Sequence, residues 1–209
     1  MTAIRKATQT HTLGQPGIPM KEYVRSDAEI WKSFKKGNDE AFIKIYEQYF
    51  EILYTYGYQF TRDKGLIEDS VQDLFIYIRK NRASLSDTSS IKFYLFKALR
   101  NRLIRSIERQ KKIVPSELNE AFDFQVNISF ETKLIKAQID EQAKLSLLRA
   151  FEKLSPRQRE IIIYYYYEEL SYEQIADLMD LSKVKYARDL LYRAIDSLRA
   201  DEILKSLRS

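Results

Sequence analysis

The chain has 209 residues, a formal net charge of +5, 44% apolar and 31% charged residues. This length allows one large domain or two small ones, and the composition is that of an ordinary globular protein whose positive balance fits a polyanionic partner. The absence of cysteine excludes a disulfide framework and a thiolate metal site, and no apolar run approaches the roughly 20 residues of a membrane helix.

Residues 1–22 are polar and punctuated by Gly14, Pro16, Gly17 and Pro19, which predicts a flexible arm without a continuous apolar stretch of the secretory kind. The only histidine, His11, lies in this arm. Beyond it glycine and proline nearly vanish, so the remainder reads as all-helical. A helical pattern runs from about Ala28 to Lys112, interrupted at Lys36–Gly37–Asn38, around Thr61–Gly65 and over Asn81–Ser90.

Within that block, Leu66–Lys80 places Ile67, Val71, Leu74, Phe75 and Ile78 on one stripe. Asp69, Gln72, Asp73, Ile76 and Tyr77 project from the other side, and exposed apolar residues among carboxylates suit a protein-binding patch. The next helix, Ile91–Lys112, buries Phe93, Phe96, Leu99, Leu103 and Ile107. Its opposite side carries Tyr94, Lys97, Asn101, Arg102, Arg105 and Arg109, with Glu108 the one acid. Cations with an amide and an aromatic suit phosphate contact and capture of an unstacked base.

The periodicity fades from Val114 to about Asn127, which predicts a flexible linker over 113–138. The second block has a clear local grammar. Ser155–Pro156–Arg157–Gln158 is a capping box with proline at the first helical position, opening a helix expected to reach Glu169. Ser171–Tyr172–Glu173–Gln174 opens a short helix to about Met179. Asp180–Leu181–Ser182 turns the chain, and Ser182 is expected to cap a third helix running to about Arg199. Short helix, tight turn and longer helix make a helix-turn-helix pattern. On the third helix Val184, Ala187, Leu191, Ala194, Ile195 and Leu198 share the packing stripe. Lys183, Lys185, Tyr186, Arg188, Asp189 and Arg193 form the face that would enter a major groove.

Four strings, in order, carry a family resemblance: GNDEAFIKIYEQYFEILYTYGYQFT, EDSVQDLFIYIRKNR, SSIKFYLFKALRNRLIRSIERQKK and LSPRQREIIIYYYYEELSYEQIADLMDLS. Together they resemble the extracytoplasmic-function group of the sigma-70 family, over about residues 28–112 and 140–200. The resemblance implies two helical domains: sigma region 2 over 23–112 and sigma region 4 over 139–209. It implies core RNA polymerase as partner, through the β′ coiled coil and the β flap. Asp69, Gln72, Asp73 and Ile76 would meet the polymerase, while Phe75, which also fits the signature, points to the core. Tyr94, Lys97, Asn101, Arg102, Arg105 and Arg109 would read and melt the −10 element of promoter DNA. Lys183, Lys185, Tyr186, Arg188, Asp189 and Arg193 would read −35. An anti-sigma factor, a cytoplasmic location and no cofactor, metal, small-molecule substrate or enzymatic step complete the expectation.

Two departures accompany the resemblance. The turn carries Asp180 where the family usually has glycine, and Asp tolerates left-handed dihedrals better than most residues. The segment Ser182–Ala194 is one residue longer than usual, with Lys183 as the extra residue that the turn or first helical position must absorb. A stand-alone helix-turn-helix regulator, binding an operator as a dimer, is the alternative reading, and it leaves the first block without a purpose.

Overall fold

The computed structural model describes residues 26–111, Phe124 and residues 141–201. The expected arm and nearly all of the expected linker lie outside the described residues. Those described form eight α-helices with short 3-10 and π turns and no strand, so the all-α expectation holds.

Helix α1 (Asp27–Lys35) starts at a capping box in which the Ser26 side chain accepts from the Glu29 N–H, while Glu29 accepts from the Ser26 N–H at 2.9 Å. A turn at Gly37, with φ +98°, reverses the chain into α2 (Asp39–Gly57), whose first turn is capped by the Asn38 side chain. Asp63 caps α3 (Lys64–Lys80) by accepting from Leu66 N–H at 3.0 Å. A 3-10 turn (Arg82–Ser84) and a loop then lead to α4 (Ile91–Lys111).

Helices α2, α3 and α4 pack on one another, and α1 lies against α2 and α4. Their core holds Phe34, Ile45, Leu53, Ile67, Val71, Leu74, Ile78, Leu95, Phe96, Leu99 and Leu103, all buried. Gly57 permits the close approach of α2 to α3: a Cβ there would stand 2.6 Å from Ile67 Cγ2.

In the second half, α5 (Glu141–Glu152) precedes α6 (Pro156–Ile162), which starts on the predicted Ser155–Gln158 capping box. The helix expected through Glu169 changes character earlier: Ile163–Tyr167 is a π turn, closed by Glu168 N–H donating to the Ile163 carbonyl at 3.0 Å. Glu169 then takes a positive φ of 56°. Ser171 caps α7 (Tyr172–Leu178) in the predicted capping box, and α8 (Val184–Ala200) packs across α6 and α7. Ile161, Ile162, Ile175, Leu178, Ala187, Leu191 and Ala194 fill the space between these three helices.

Candidate nucleic-acid and polymerase interface

Three surfaces follow from these helices. On α3 the five predicted residues Asp69, Gln72, Asp73, Ile76 and Tyr77 are exposed, while Ile67, Val71, Leu74, Phe75 and Ile78 are buried. The period of the helix alone accounts for this division. Phe75 is packed: its ring meets Tyr46 at 4.8 Å and Phe42 at 6.3 Å. A carboxylate-bearing patch with an exposed isoleucine and tyrosine results.

On α4 the predicted cationic row is less uniform. Arg105 and Arg109 are exposed; Tyr94, Lys97, Asn101 and Arg102 are half-buried. Tyr94 packs against Trp31 with ring centroids 4.7 Å apart, and burial, followed by the neighbouring Tyr77, pushes its hydroxyl pKa up, so it stays a neutral donor. The Arg102 guanidinium lies over the Tyr77 ring at 5.2 Å, linking the basic row to the patch on α3. Lys97 is paired with Asp177 of α7 at 2.6 Å. Phe93, expected in the buried stripe, is only half-buried, and Leu95 is buried beside Phe96 instead.

The loop before α4 is tied to α1. Trp31 Nε1 donates to the Ser86 carbonyl at 2.9 Å, Lys35 Nζ meets Asp87 at 2.6 Å, and Ile91 N–H donates to Asp27 at 2.8 Å. The hydrogen bond and charge of Lys35 hold the Asp87 carboxyl below its ordinary range.

The third surface is the exposed side of α8. Lys183, Lys185, Tyr186, Arg188 and Arg193 are exposed and Asp189 is half-buried, while Ala187, Leu191 and Ala194 are buried beneath them. The expected cap is corrected here. Ser182 does not start this helix; Lys183 is the N-cap, extended at φ −145°, with no side-chain capping bond. Lys183 lies before the first helical turn, and Val184 opens the helix. Asp180 takes φ 53°, the left-handed conformation that the turn requires. Arg188 lies over the Tyr172 ring at 5.2 Å, and Tyr172 stacks on Tyr165 at 5.0 Å, so two aromatics fix the direction of this arginine. An open groove of about 620 Å³ runs beside the helix between Ser155, Pro156, Leu181, Tyr186 and Leu190, with Arg157 and Arg193 at its walls.

Sequence reasoning missed Arg100. It lies on α4 beside the core stripe, its side chain only 5% exposed, and its Nε donates to Glu160 Oε1 at 2.8 Å. Burial alone would lower its pKa, but the charge of Glu160 and the neighbouring Tyr164 hold it above the ordinary value. No local pattern marks a partner 60 positions away.

Among the described residues no cluster of His, Cys, Asp and Glu could hold a metal ion, and no helix is long and apolar enough to cross a membrane.

Comparison with known proteins bears on the family of the two blocks. A family model described as Sigma-70 region 2 matches residues 45–113, and one described as Sigma-70, region 4 matches residues 144–194; together they cover more than half of the chain. The ECF RNA polymerase sigma factor SigM of Bacillus subtilis (strain 168) is 27% identical over 157 residues, 75% of this chain and 92% of SigM. The RNA polymerase sigma factor YlaC of the same organism is 28% identical over 144 residues, 67% of this chain and 81% of YlaC. Among solved structures, CnrH in complex with the cytosolic domain of CnrY shares the fold at a TM-score of 0.52 and 18% identity, covering 83% of this chain and 95% of that one. The region 2 match gives the first block a place that a stand-alone regulator leaves unexplained. The chain belongs to the extracytoplasmic-function group of the sigma-70 family: it is a sigma factor that directs promoter-specific initiation by RNA polymerase.

Proposed function

We propose that the three surfaces divide the work of initiation among named residues. Asp69, Gln72, Asp73 and Ile76 dock region 2, residues 23–112, on the polymerase β′ coiled coil. Tyr94, Lys97, Asn101, Arg102, Arg105 and Arg109 receive the −10 element, with phosphates held by the arginines and an unstacked base held against the aromatic and amide. Lys183, Lys185, Tyr186, Arg188, Asp189 and Arg193 of region 4, residues 139–209, enter the major groove at −35, while the same domain meets the β flap. A linker over 113–138 lets both DNA contacts form at once, so that two weak contacts combine through effective concentration.

The observation that carries this reading is the adjacency of α3 and α4. An exposed acidic patch lies beside a helix whose C-terminal part presents Arg105 and Arg109, joined through Arg102 over Tyr77. A DNA binder alone has no use for exposed carboxylates next to its cationic face, since they repel phosphate. Melting in this scheme is driven by capture of unstacked bases, so the chain has no catalytic step of its own.

The remaining parts of the proposal are a cytoplasmic location, where the polymerase works, and an anti-sigma partner. In support of the latter, the similar structure of CnrH contains the cytosolic domain of a second protein, CnrY. The docking assignment is tested by Asp69→Lys, which reverses charge at an exposed position and leaves the core untouched. Affinity for core polymerase, measured by fluorescence anisotropy, is expected to fall about tenfold or more with unchanged thermal stability. Unaltered affinity would remove Asp69 from the interface.

A further inference from the structure

Helix α1 has 9 residues, too few to be stable as a helix without tertiary contacts. It lies ahead of residues 45–113, the span that matches the region 2 family model. Three of its side chains reach the start of α4 or the loop that leads into it. Asp27 Oδ2 accepts from the Ile91 N–H at 2.8 Å, across 64 positions of sequence. Ser90 supplies a local cap by accepting from the Phe93 N–H at 3.2 Å, so the first turn of α4 is satisfied partly by its own loop and partly by α1. The Asp27 side chain also bonds the Tyr49 hydroxyl of α2. Burial, then the charge of Asp27 and this bond, push the Tyr49 pKa up to about 12, so it stays a neutral donor. One turn along α1, Trp31 is buried; its Nε1 donates to the Ser86 carbonyl at 2.9 Å and its ring meets Tyr94, centroids 4.7 Å apart.

We infer that α1 is the positioning element of the −10 face, with Asp27 setting the start of α4 and Trp31 setting the ring of Tyr94. The inference rests on the reading of that face as the −10 surface, in which Tyr94 holds an unstacked base. Stacking on a side chain that must first be ordered loses part of its gain to the ordering, so a ring held in advance captures a base better. Trp31 meets the half-buried Tyr94 from the core side and leaves its exposed part to a ligand. Neither residue of α1 is itself a DNA contact, because Trp31 is buried and the Asp27 carboxylate would repel phosphate. Both act through α4.

The three contacts differ in weight. Lys35 and Asp87 are 2.6 Å apart, but the Asp87 side chain is 89% exposed, so water and salt weaken the pair and it contributes little. The bond from Ile91 to Asp27 is of the stronger, charge-assisted kind, and a carboxylate suits the positive end of the α4 dipole. The bond from Trp31 ties the loop at Ser86 to the same side chain that supports Tyr94, so loop and ring are fixed together. Asp27 and Trp31 therefore carry the role.

The test uses the full-length chain, core RNA polymerase and a promoter fragment on which the parent protein forms open complexes. Trp31→Phe keeps a ring in the core and deletes the bond to Ser86. Asp27→Ala deletes the acceptor at Ile91, and Asp27→Asn keeps one. Trp31→Phe and Asp27→Ala are each expected to lower open complexes, followed by permanganate reactivity of unpaired thymines, about fivefold, with affinity for core polymerase within about twofold of the parent. Asp27→Asn is expected to recover most of that loss. Coupling gives the sharpest readout: adding Trp31→Phe to Tyr94→Ala costs little beyond Tyr94→Ala alone, because the ring that Trp31 positions is already gone. Full open-complex yield in both Trp31→Phe and Asp27→Ala, or an undiminished further loss in the double variant, overturns the inference. A loss of open complexes matched by an equal loss of core affinity also overturns it, since α1 would then serve packing alone. Tyr94→Ala keeps the two readings apart. If it impairs open complexes while the α1 variants do not, the −10 reading stands and the role of α1 fails; if it leaves them unchanged, the −10 assignment of Tyr94 fails and takes the role of Trp31 with it.

Discussion

Gly57 shows how a single side chain can decide the spacing of two helices. It lies at the end of α2, where Ile67 of α3 comes so near that a Cβ would be 2.6 Å from a β-branched methyl with little freedom to move. Gly57→Ala gains helix propensity but forces the helices apart. The overpacking term wins, and stability is expected to fall by about 1–3 kcal/mol, read from the denaturant midpoint. A midpoint equal to that of the parent would mean that α2 and α3 approach less closely. Individual residues were unequally legible in the sequence. Phe75 could be placed in the core from its spacing with Val71 and Ile78. Arg100 could not, because its burial depends on Glu160 and Asp180, which the chain supplies only after α5. Nor could Phe124, which lies in a stretch where the helical periodicity fades and whose partners Phe60 and Tyr164 come from different halves.

Elements were legible where their signals are local. The Ser155–Gln158 and Ser171–Gln174 boxes each satisfy two end groups within four residues, so sequence spacing suffices to locate the start of α6 and α7. Ser171→Ala removes the bond to Gln174 N–H and is expected to cost about 1 kcal/mol, seen as a lowered midpoint without loss of helix content. A full retention of stability would show that Gln174 alone holds the start of α7. Ser182 misled for the same reason that the other serines did not. It has the right residue type but stands one position too early, because the N-cap is Lys183. The π turn at Ile163–Tyr167 has no sequence signature of its own; Tyr164 within it meets both Glu160 and Tyr56. On α4, Arg105 is one of the exposed cations, with Arg109. Arg105→Ala is therefore expected to reduce open-complex formation, followed by permanganate reactivity of unpaired thymines, about tenfold, and to change initial docking on duplex promoter much less. Equal losses in both steps would remove melting from the role of this helix.

At the scale of the whole molecule, the pattern of elements gave the all-α class and the helix-turn-helix, because both depend on periodicity and turns that lie close in sequence. The arrangement of the halves is a property of long-range pairs. The acids Glu160, Glu168, Asp177 and Asp180 belong to ordinary helix and turn positions, and only the fold reveals that they face Lys92, Lys97 and Arg100. The net positive balance suits a nucleic-acid partner. The outcome is transcription that starts where this protein directs it. Reconstitution of the full-length chain with sigma-free core RNA polymerase on genomic promoter fragments measures that outcome directly. Discrete run-off transcripts that appear only when the protein and core enzyme are both present are predicted. Sequence-specific footprints formed by the protein alone, with no transcripts on addition of the polymerase, would contradict it.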